Sequence, residues 1–172
     1  WRSTDYGQTW TEINIGLYSI SNITYLGNKR AIFVSSGDLY ESTDNGQTWT
    51  LTHTFNDQLN TSAYLGSKII LLGAESGNIY RSTDGGITYQ LSSIAPTCVR
   101  YFTYISCGVV FYTTSAVEKG AGLYKSTDNG QTWVNINIPG VSGVVDFALK
   151  MSYAGNGLMF LATGDNTGGY AA

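Results

Sequence analysis

An eight-residue motif occurs four times in the 172 residues, and this repetition limits the fold more than any other feature of the chain. Each copy reads Ser-Thr-Asp-x-Gly-x-Thr followed by Trp or Tyr, and the copies begin at Ser3, Ser42, Ser82 and Ser126. Successive copies are separated by 39, 40 and 44 residues. A unit of that length holds four short strands with their turns, whereas the units of a horseshoe or a β-helix are much shorter.

The segments between the motifs also repeat, and they have the character of β-strands. Apolar runs bounded by Gly, Ser or Thr recur at 31–34, 69–72, 109–112 and 158–161. Shorter segments that lead into turns precede them at 24–27, 63–66, 103–106 and 152–155. Each unit therefore reads as strand A, turn, strand B, loop, strand C, motif and strand D. The sequence predicts an all-β chain of four-stranded antiparallel blades, in repeat units of about 1–39, 40–79, 80–123 and 124–172.

Composition and charge argue against several classes of protein. Only 12% of the residues are charged, and the abundant Tyr, Thr, Ser, Asn and Gly suit pleated strands and tight turns. The formal charge is −3 and the nine Lys and Arg form no basic stripe, so nucleic acid is not an expected partner. No apolar run reaches the ~20 residues of a membrane-spanning helix, so a membrane is not expected either. Cys98 and Cys107 lie at opposite ends of a predicted strand, too far apart for a disulfide, and both are predicted to be free thiols.

The repeated motif has the residues needed to lock a tight turn between strands C and D. Its Asp carboxylate can accept hydrogen bonds from backbone N–H groups of its own turn, and its Ser hydroxyl can add another. Its Gly supplies a position with φ > 0, and its Trp covers the turn with a large apolar face. These needs are met within the turn, so we predict a structural role and no catalysis or metal binding for Ser3, Asp5, Gly7, Trp10, Ser42, Asp44, Gly46, Trp49, Ser82, Asp84, Gly86, Tyr89, Ser126, Asp128, Gly130 and Trp133.

The motif resembles the Asp-box, or BNR repeat, of sialidases, xyloglucan-cleaving glycoside hydrolases, sortilin-type receptors and a photosystem assembly factor, and the resemblance spans the whole chain. It implies a β-propeller whose Asp-boxes lie on the side away from the ligand-binding face. The loops from D to A and from B to C then form the functional rim. The third box departs most from the pattern, with Gly85, Ile87 and Tyr89, but it retains Ser82 and Asp84 and is expected to form the same turn.

The predicted rim loops contain a small set of residues that could bind or react with a ligand. A glycoside hydrolase needs two carboxylates about 5 to 9.5 Å apart, and the weak catalytic candidates are Asp57, Glu118 and Asp165. The candidates for ligand binding are Asp38, Glu75, Arg100 and Lys119. His53, at the end of an outer strand, is expected to have a surface or hydrogen-bonding role and not that of a general base.

The arginines argue against sialidase activity. A sialidase needs an arginine cluster for the substrate carboxylate, since guanidinium groups bind carboxylates through two parallel hydrogen bonds. Arg2 and Arg81 directly precede box serines and are predicted to lie on the solvent side of strand C, while Arg30 lies in an A–B turn on the opposite face from the rim. Only Arg100 is placed to point into a central site. The Arg-Ile-Pro signature of sialidases is also absent.

The function predicted from the sequence is non-enzymatic: a propeller module for glycan or protein recognition, or for scaffolding. The alternative is a fragment of a propeller glycoside hydrolase whose site needs additional blades. No cofactor is expected, because no metal-ligand spacing, nucleophile elbow or phosphate-binding glycine loop occurs. We expect an incomplete propeller, completed by a longer parent chain or as one half of an oligomeric ring. Sequons at Asn22 and Asn60 favour an extracellular or cell-surface location.

Overall fold

The structure is a computed structural model that describes residues 1–17, 19–114, 122–138 and 147–164. Within these ranges the regular secondary structure is entirely β, and it forms three four-stranded antiparallel sheets and one two-stranded sheet. This confirms the predicted all-β fold class with four-stranded antiparallel blades.

Three complete blades follow one another along the chain. The first contains β1 (Asn22–Gly27), β2 (Arg30–Ser35), β3 (Asp38–Ser42) and β4 (Thr50–Thr54). The second contains β5 (Leu59–Tyr64), β6 (Ile70–Ala74), β7 (Asn78–Ser82) and β8 (Gln90–Ile94). The third contains β9 (Val99–Ser106), β10 (Val109–Thr114), β11 (Leu123–Ser126) and β12 (Val134–Asn135). In each blade, neighbours in sequence are neighbours in the sheet, so the four strands correspond to A, B, C and D of the repeat.

Partial blades flank the three complete ones. After the third blade comes a hairpin of β13 (Phe147–Gly155) and β14 (Leu158–Gly164), which corresponds to strands A and B. Before the first blade, residues 1–17 form a segment that we call the N-terminal arm. In the arm, Arg2 and Thr11 are paired in an antiparallel bridge on either side of the first box, with both N–H···O distances at 2.8 Å. The arm therefore corresponds to strands C and D.

The Asp-box of each complete blade forms the same hydrogen-bonded turn, which the fourth box illustrates. The Ser126 hydroxyl donates to Asp128 Oδ1 (2.7 Å) and accepts from the N–H of Gly130 (2.9 Å). The Thr132 hydroxyl donates to Asp128 Oδ2 (2.6 Å), and the N–H groups of Gln131 and Thr132 donate to Oδ1. The turn between strands C and D is thus held by three side chains of its own sequence, those of Ser126, Asp128 and Thr132.

The box also holds the hairpin turn between strands A and B. In the first blade the N–H of Asn45 donates to the Lys29 carbonyl (2.9 Å), and in the third blade Asn129 donates in the same way to Gly108 (3.0 Å). Lys29 has φ of +68°, and the residue before it is Asn28 with φ of +50°, as a tight two-residue hairpin turn requires. Both turns therefore lie at the same end of each blade and are bonded to each other.

The box carboxylates are strongly stabilised in their charged form. Hydrogen bonds from the side chain and backbone of Thr9 lower the pKa of Asp5 to about 2. The corresponding bonds from Thr48 and Thr88 hold the pKa values of Asp44 and Asp84 well below the usual range for aspartate. Burial raises the pKa of Asp128, but the hydrogen bonds from Thr132 and Ser126 outweigh it and bring the pKa to about 2.

The hydrophobic core lies between successive blades. In each complete blade, one residue of strand B packs against the next blade. The residues in this position are Ile32, Leu71 and Phe111. Leu71 also lies on the fourth box, where a Cβ on Gly130 would come within 2.8 Å of its Cδ1. Glycine is therefore required at position 130 for two reasons, its φ of +77° and its close contact with Leu71.

Arginines link neighbouring blades on the side of the Asp-boxes. Nε of Arg2 donates to the Asn45 carbonyl (2.7 Å), and Nε of Arg81 donates to the Asn129 carbonyl (2.9 Å). In both pairs the arginine precedes a box serine and the acceptor lies in the box of the next blade. The prediction that Arg2 and Arg81 are ordinary solvent-side residues was therefore wrong, since both guanidinium groups bond across a blade interface.

We expect Ser126→Ala to lower the free energy of unfolding by about 1–3 kcal/mol, because it leaves the buried N–H of Gly130 without its acceptor. The matched control is Ser3→Ala, where the Gly7 N–H that loses its acceptor is exposed to water. Urea unfolding followed by tryptophan fluorescence compares the two. Equal losses for the two variants would contradict the account.

We expect the box carboxylates to make unfolding sensitive to acid. Their folded-state pKa values lie below those of the unfolded chain, so their contribution is complete above about pH 4 and is lost as the pH falls towards 2. The difference in urea midpoint between the natural chain and Asp128→Asn should therefore shrink over this range. A difference that stays constant from pH 6 to pH 2 would show that the charge of Asp128 does not stabilise the turn.

Candidate functional site: the rim opposite the Asp-boxes

The end of the blades opposite the Asp-boxes is formed by the D–A and B–C loops, and the two kinds of loop are bonded together. The N–H of Phe55 donates to the Gly37 carbonyl, and the N–H of Ala95 donates to Gly77, both at 2.8 Å. A Cβ on Gly37 or Gly77 would come within 2.5 Å of the Phe55 or Ala95 carbonyl oxygen, respectively. These glycines let the loops approach closely, so side chains on the rim project from a fixed backbone.

Asp57 joins one D–A loop to the next blade. Its Oδ2 accepts hydrogen bonds from the Ser76 hydroxyl, from Nδ2 of Asn78 (2.9 Å) and from the Tyr80 hydroxyl (3.4 Å). Ser76 in turn accepts the N–H of Asn78 (3.2 Å). Three donors thus hold one oxygen of the carboxylate, so Asp57 is a structural link between the loop and the second blade.

Glu75 forms a charged cluster with residues from two blades. Its Oε2 accepts from Nδ2 of Asn60 (2.8 Å) and forms an ion pair with the Arg100 guanidinium (3.3 Å). The Arg100 and Glu75 side chains are 41% and 44% exposed, so the pair remains open to a ligand. Glu75 and Asn60 belong to the second blade and Arg100 to the third, so the cluster spans the interface between them.

An aromatic residue, Tyr101, and a second cation, Lys150, lie on the face of β9 opposite to that of Arg100. Tyr101 follows Arg100 in β9, and the Lys150 ammonium on β13 lies 5.9 Å from the centre of its ring. Neighbouring residues of a strand point to opposite faces, so Arg100 and Tyr101 serve the two sides of the third blade. Asn60, Glu75, Arg100, Tyr101 and Lys150, which we call the inner-rim cluster, therefore place an amide, a carboxylate and a cation on one side of the third blade and a phenol ring with a second cation on the other.

The remaining predicted residues lie away from this cluster or outside the described part of the chain. Asp38 begins β3 and accepts the Thr54 hydroxyl (2.8 Å), which ties two strands of the first blade. His53 lies on β4, where its Nε2 is 3.2 Å from the Ile87 carbonyl in the box of the second blade. Glu118, Lys119 and Asp165 lie outside the described residues.

The arrangement suits hydrogen bonding and charge recognition. Asp57 and Glu75 are carboxylates from adjacent loops, but each already accepts bonds that hold its position. Within the described ranges no group of three or more His, Cys, Asp or Glu residues is arranged to hold a metal ion. The same ranges contain no helix of the length and hydrophobicity that a bilayer span requires. Cys98 is buried, Cys107 is exposed, and both are free thiols.

Sequence reasoning found part of the cluster and missed the rest. It selected Glu75 and Arg100 from their loop positions, but it did not pair them, because contacts between blades have no local signal. Asn60 was read only as part of a sequon, whereas its amide in fact bonds Glu75 and the Val99 carbonyl. Lys150 could have been found from the repeat alignment, which places it at the same position of strand A as Tyr101.

Comparison with known families identifies the repeats. A model described as the BNR/Asp-box repeat matches residues 40–51 and 124–134, and one described as the BNR-Asp box repeat matches residues 1–13. No curated protein is significantly similar to the chain.

Solved structures show the same fold at low sequence identity. YCF48 bound to a D1 peptide is 21% identical over 67% of this chain and 39% of its own, with a TM-score of 0.57. An ancestral GH74 enzyme is 15% identical over 89% of this chain and 23% of its own, with a TM-score of 0.73. The GH74 xyloglucanase from Xanthomonas campestris is 13% identical over 88% of this chain and 28% of its own, with a TM-score of 0.66.

The chain spans less than two fifths of the length of each of these proteins. Their similarity therefore bears on the fold of the blades and not on the activity of the whole protein. The boxes, the strand order and these structures agree, and the chain is built of BNR/Asp-box repeats that fold as four-stranded blades of a β-propeller.

Proposed function

We propose that the chain is a non-enzymatic recognition module that binds a segment of a partner protein at the inner-rim cluster. The observation that carries this proposal is the exposed ion pair between Glu75 and Arg100, which joins two blades at the end opposite the Asp-boxes. Loops on a rigid scaffold are the usual position of binding residues in repeat folds.

The chemistry of the cluster favours a polypeptide over a glycan. Charges of both signs lie side by side, and they suit a ligand that has both charged side chains and backbone amides. One face of the exposed Tyr101 ring already carries the Lys150 ammonium, which leaves less aromatic surface for stacking against a sugar. The YCF48 structure, which contains a bound peptide, gives a precedent for peptide binding on a similar fold.

The second candidate is a part of a glycoside hydrolase, and the similarity to GH74 enzymes favours it. In that case Asp57 or Glu75 would take part in general acid–base chemistry with a carboxylate on another blade. Against this, Oδ2 of Asp57 already accepts three hydrogen bonds from the B–C loop and strand C of the next blade, so the group serves the rim in the absence of any substrate.

We expect Glu75→Gln and Arg100→Gln each to weaken binding of a selected peptide by roughly tenfold or more, because each removes one of the two exposed charges that the peptide would contact. The peptide is chosen from a display library panned against the natural chain, and its affinity is measured by calorimetry. Asp38→Asn is the matched control, since Asp38 lies on the rim of the first blade and its carboxylate accepts a hydrogen bond from Thr54 of the same blade.

The same variants separate the two candidates. Unchanged peptide affinity in Glu75→Gln and Arg100→Gln would contradict the proposed site. Release of reducing sugar from xyloglucan by the natural chain, abolished in Asp57→Asn or Glu75→Gln, would instead support the hydrolase.

A further inference from the structure

The chain contains three Asn-Gly pairs, at 45–46, 129–130 and 156–157. The first two lie in the Asp-boxes of the first and third blades, and the third forms the turn between β13 and β14. In such a pair the backbone nitrogen of the glycine can attack the side-chain amide of the asparagine, because glycine has no side chain that blocks the approach. The three pairs are chemically identical, so a difference in their reactivity must come from the structure around them.

The Asp-box occupies the attacking nitrogen of its own glycine. The N–H of Gly46 donates to the Ser42 hydroxyl (2.8 Å), and the N–H of Gly130 donates to the Ser126 hydroxyl (2.9 Å). Both serines are only 1% exposed, so water cannot readily replace them as acceptors. The glycine nitrogen must lose its proton before it attacks, and a donated hydrogen bond opposes that loss as it opposes amide hydrogen exchange. The box therefore holds both nitrogens in their unreactive form.

The third pair lacks a comparable bond within the described part of the chain. The N–H of Gly157 donates to the Tyr153 hydroxyl at 3.5 Å, which is long for a hydrogen bond, and both residues are exposed. Asn156 and Gly157 have φ of +52° and +80°, as in a tight two-residue hairpin turn. The strands pair through Gly155 and Leu158 on either side of the turn, so the nitrogen of Gly157 lies outside the ladder.

The space around the three glycines differs in the same direction. Beyond its chain neighbours, a Cβ on Gly157 would meet no atom within 4 Å. A Cβ on Gly46 would lie 3.5 Å from the ring of Trp49, and one on Gly130 would lie 2.8 Å from Cδ1 of Leu71. Attack closes a ring that includes the glycine nitrogen, and the hairpin turn leaves room for this ring where the box turns are covered.

We propose that Asn156 is a site of spontaneous deamidation in the folded protein, and that the Asp-box prevents the same reaction at Asn45 and Asn129. The deprotonated nitrogen of Gly157 bonds to Cγ of Asn156. The bond from Cγ to the side-chain nitrogen then breaks, and ammonia leaves with a proton taken from water. A cyclic imide remains, and water opens it at either carbonyl to give aspartate or isoaspartate. The net reaction consumes a water molecule and converts a neutral amide into a carboxylate and an ammonium ion.

Both products alter the hairpin. Each adds a negative charge to a chain whose formal charge is −3, so the modified protein separates from the natural one on an anion exchanger. Isoaspartate also lengthens the main chain of the turn by a methylene group, and the length of this turn sets the pairing of Gly155 with Leu158. The turn corresponds to the A–B turns at the box end of the complete blades, so the inference is independent of the binding site proposed for the rim.

Incubation of the natural chain at mildly alkaline pH, followed by peptide mapping with mass spectrometry, measures deamidation at each asparagine. We expect Asn156 to react roughly tenfold or more faster than Asn45 and Asn129, since reaction in a box requires loss of the serine–glycine hydrogen bond. Asn45 is the matched internal control, because it is exposed to water as Asn156 is. In urea-unfolded chain the three should react at similar rates. Equal rates in the folded chain, or a faster reaction in either box, would overturn the proposal.

Ser42→Ala tests whether the hydrogen bond causes the protection. The variant frees the N–H of Gly46 and leaves the Asn-Gly pair unchanged, so deamidation at Asn45 should rise by roughly tenfold or more while Asn156 keeps its rate. Asn129 in the same variant reports whether the other blades remain folded, and its rate should stay low. An unchanged rate at Asn45, with circular dichroism and the Asn129 rate as in the natural chain, would overturn the protective role assigned to the box.

Discussion

The structure depends on the hydrogen bonds that the Asp-box makes within its own turn. A Ser hydroxyl and an Asp carboxylate hold the reversal between strands C and D, and the same turn binds the A–B hairpin through a main-chain bond. The outer pair of strands is thereby fixed to the inner pair at one end of each blade. Because the turn is fixed, the box glycine can pack against a side chain of the previous blade. The carbonyl of the residue before that glycine can accept a hydrogen bond from an arginine of the previous blade.

The division of the blade into two ends explains where binding residues can occur. At the box end the polar groups are bonded to one another or to arginines of the previous blade, so little remains for a ligand. At the other end the loops are held by backbone bonds and by Asp57, and charged side chains are free to differ from blade to blade. The Glu75–Arg100 pair is one result of this freedom, since its residues come from different repeats.

The sequence was sufficient for features that are local or periodic. The four boxes predicted the turn between strands C and D, and the spacing of apolar runs predicted blades with the observed strand order. Contacts between blades were not predictable, because they join residues far apart in the sequence, such as Glu75 and Arg100, 25 positions apart, and Arg30 and Gly85, 55 positions apart. Thus Arg81 was read as solvent-facing although it bonds the next box, and Asn60 was read as a sequon although its amide is engaged. The extracellular location stays a prediction.

Amide hydrogen exchange of the box turns tests the central claim most directly. If the boxes lock the blades, the N–H groups of Gly46, Gly86 and Gly130 should exchange as slowly as those of neighbouring strands, because each donates to a buried serine oxygen. The N–H of Gly7, which makes the same bond in the exposed first box, should exchange faster. Exchange of all four at the rate of an open turn, with the strands still protected, would contradict the account.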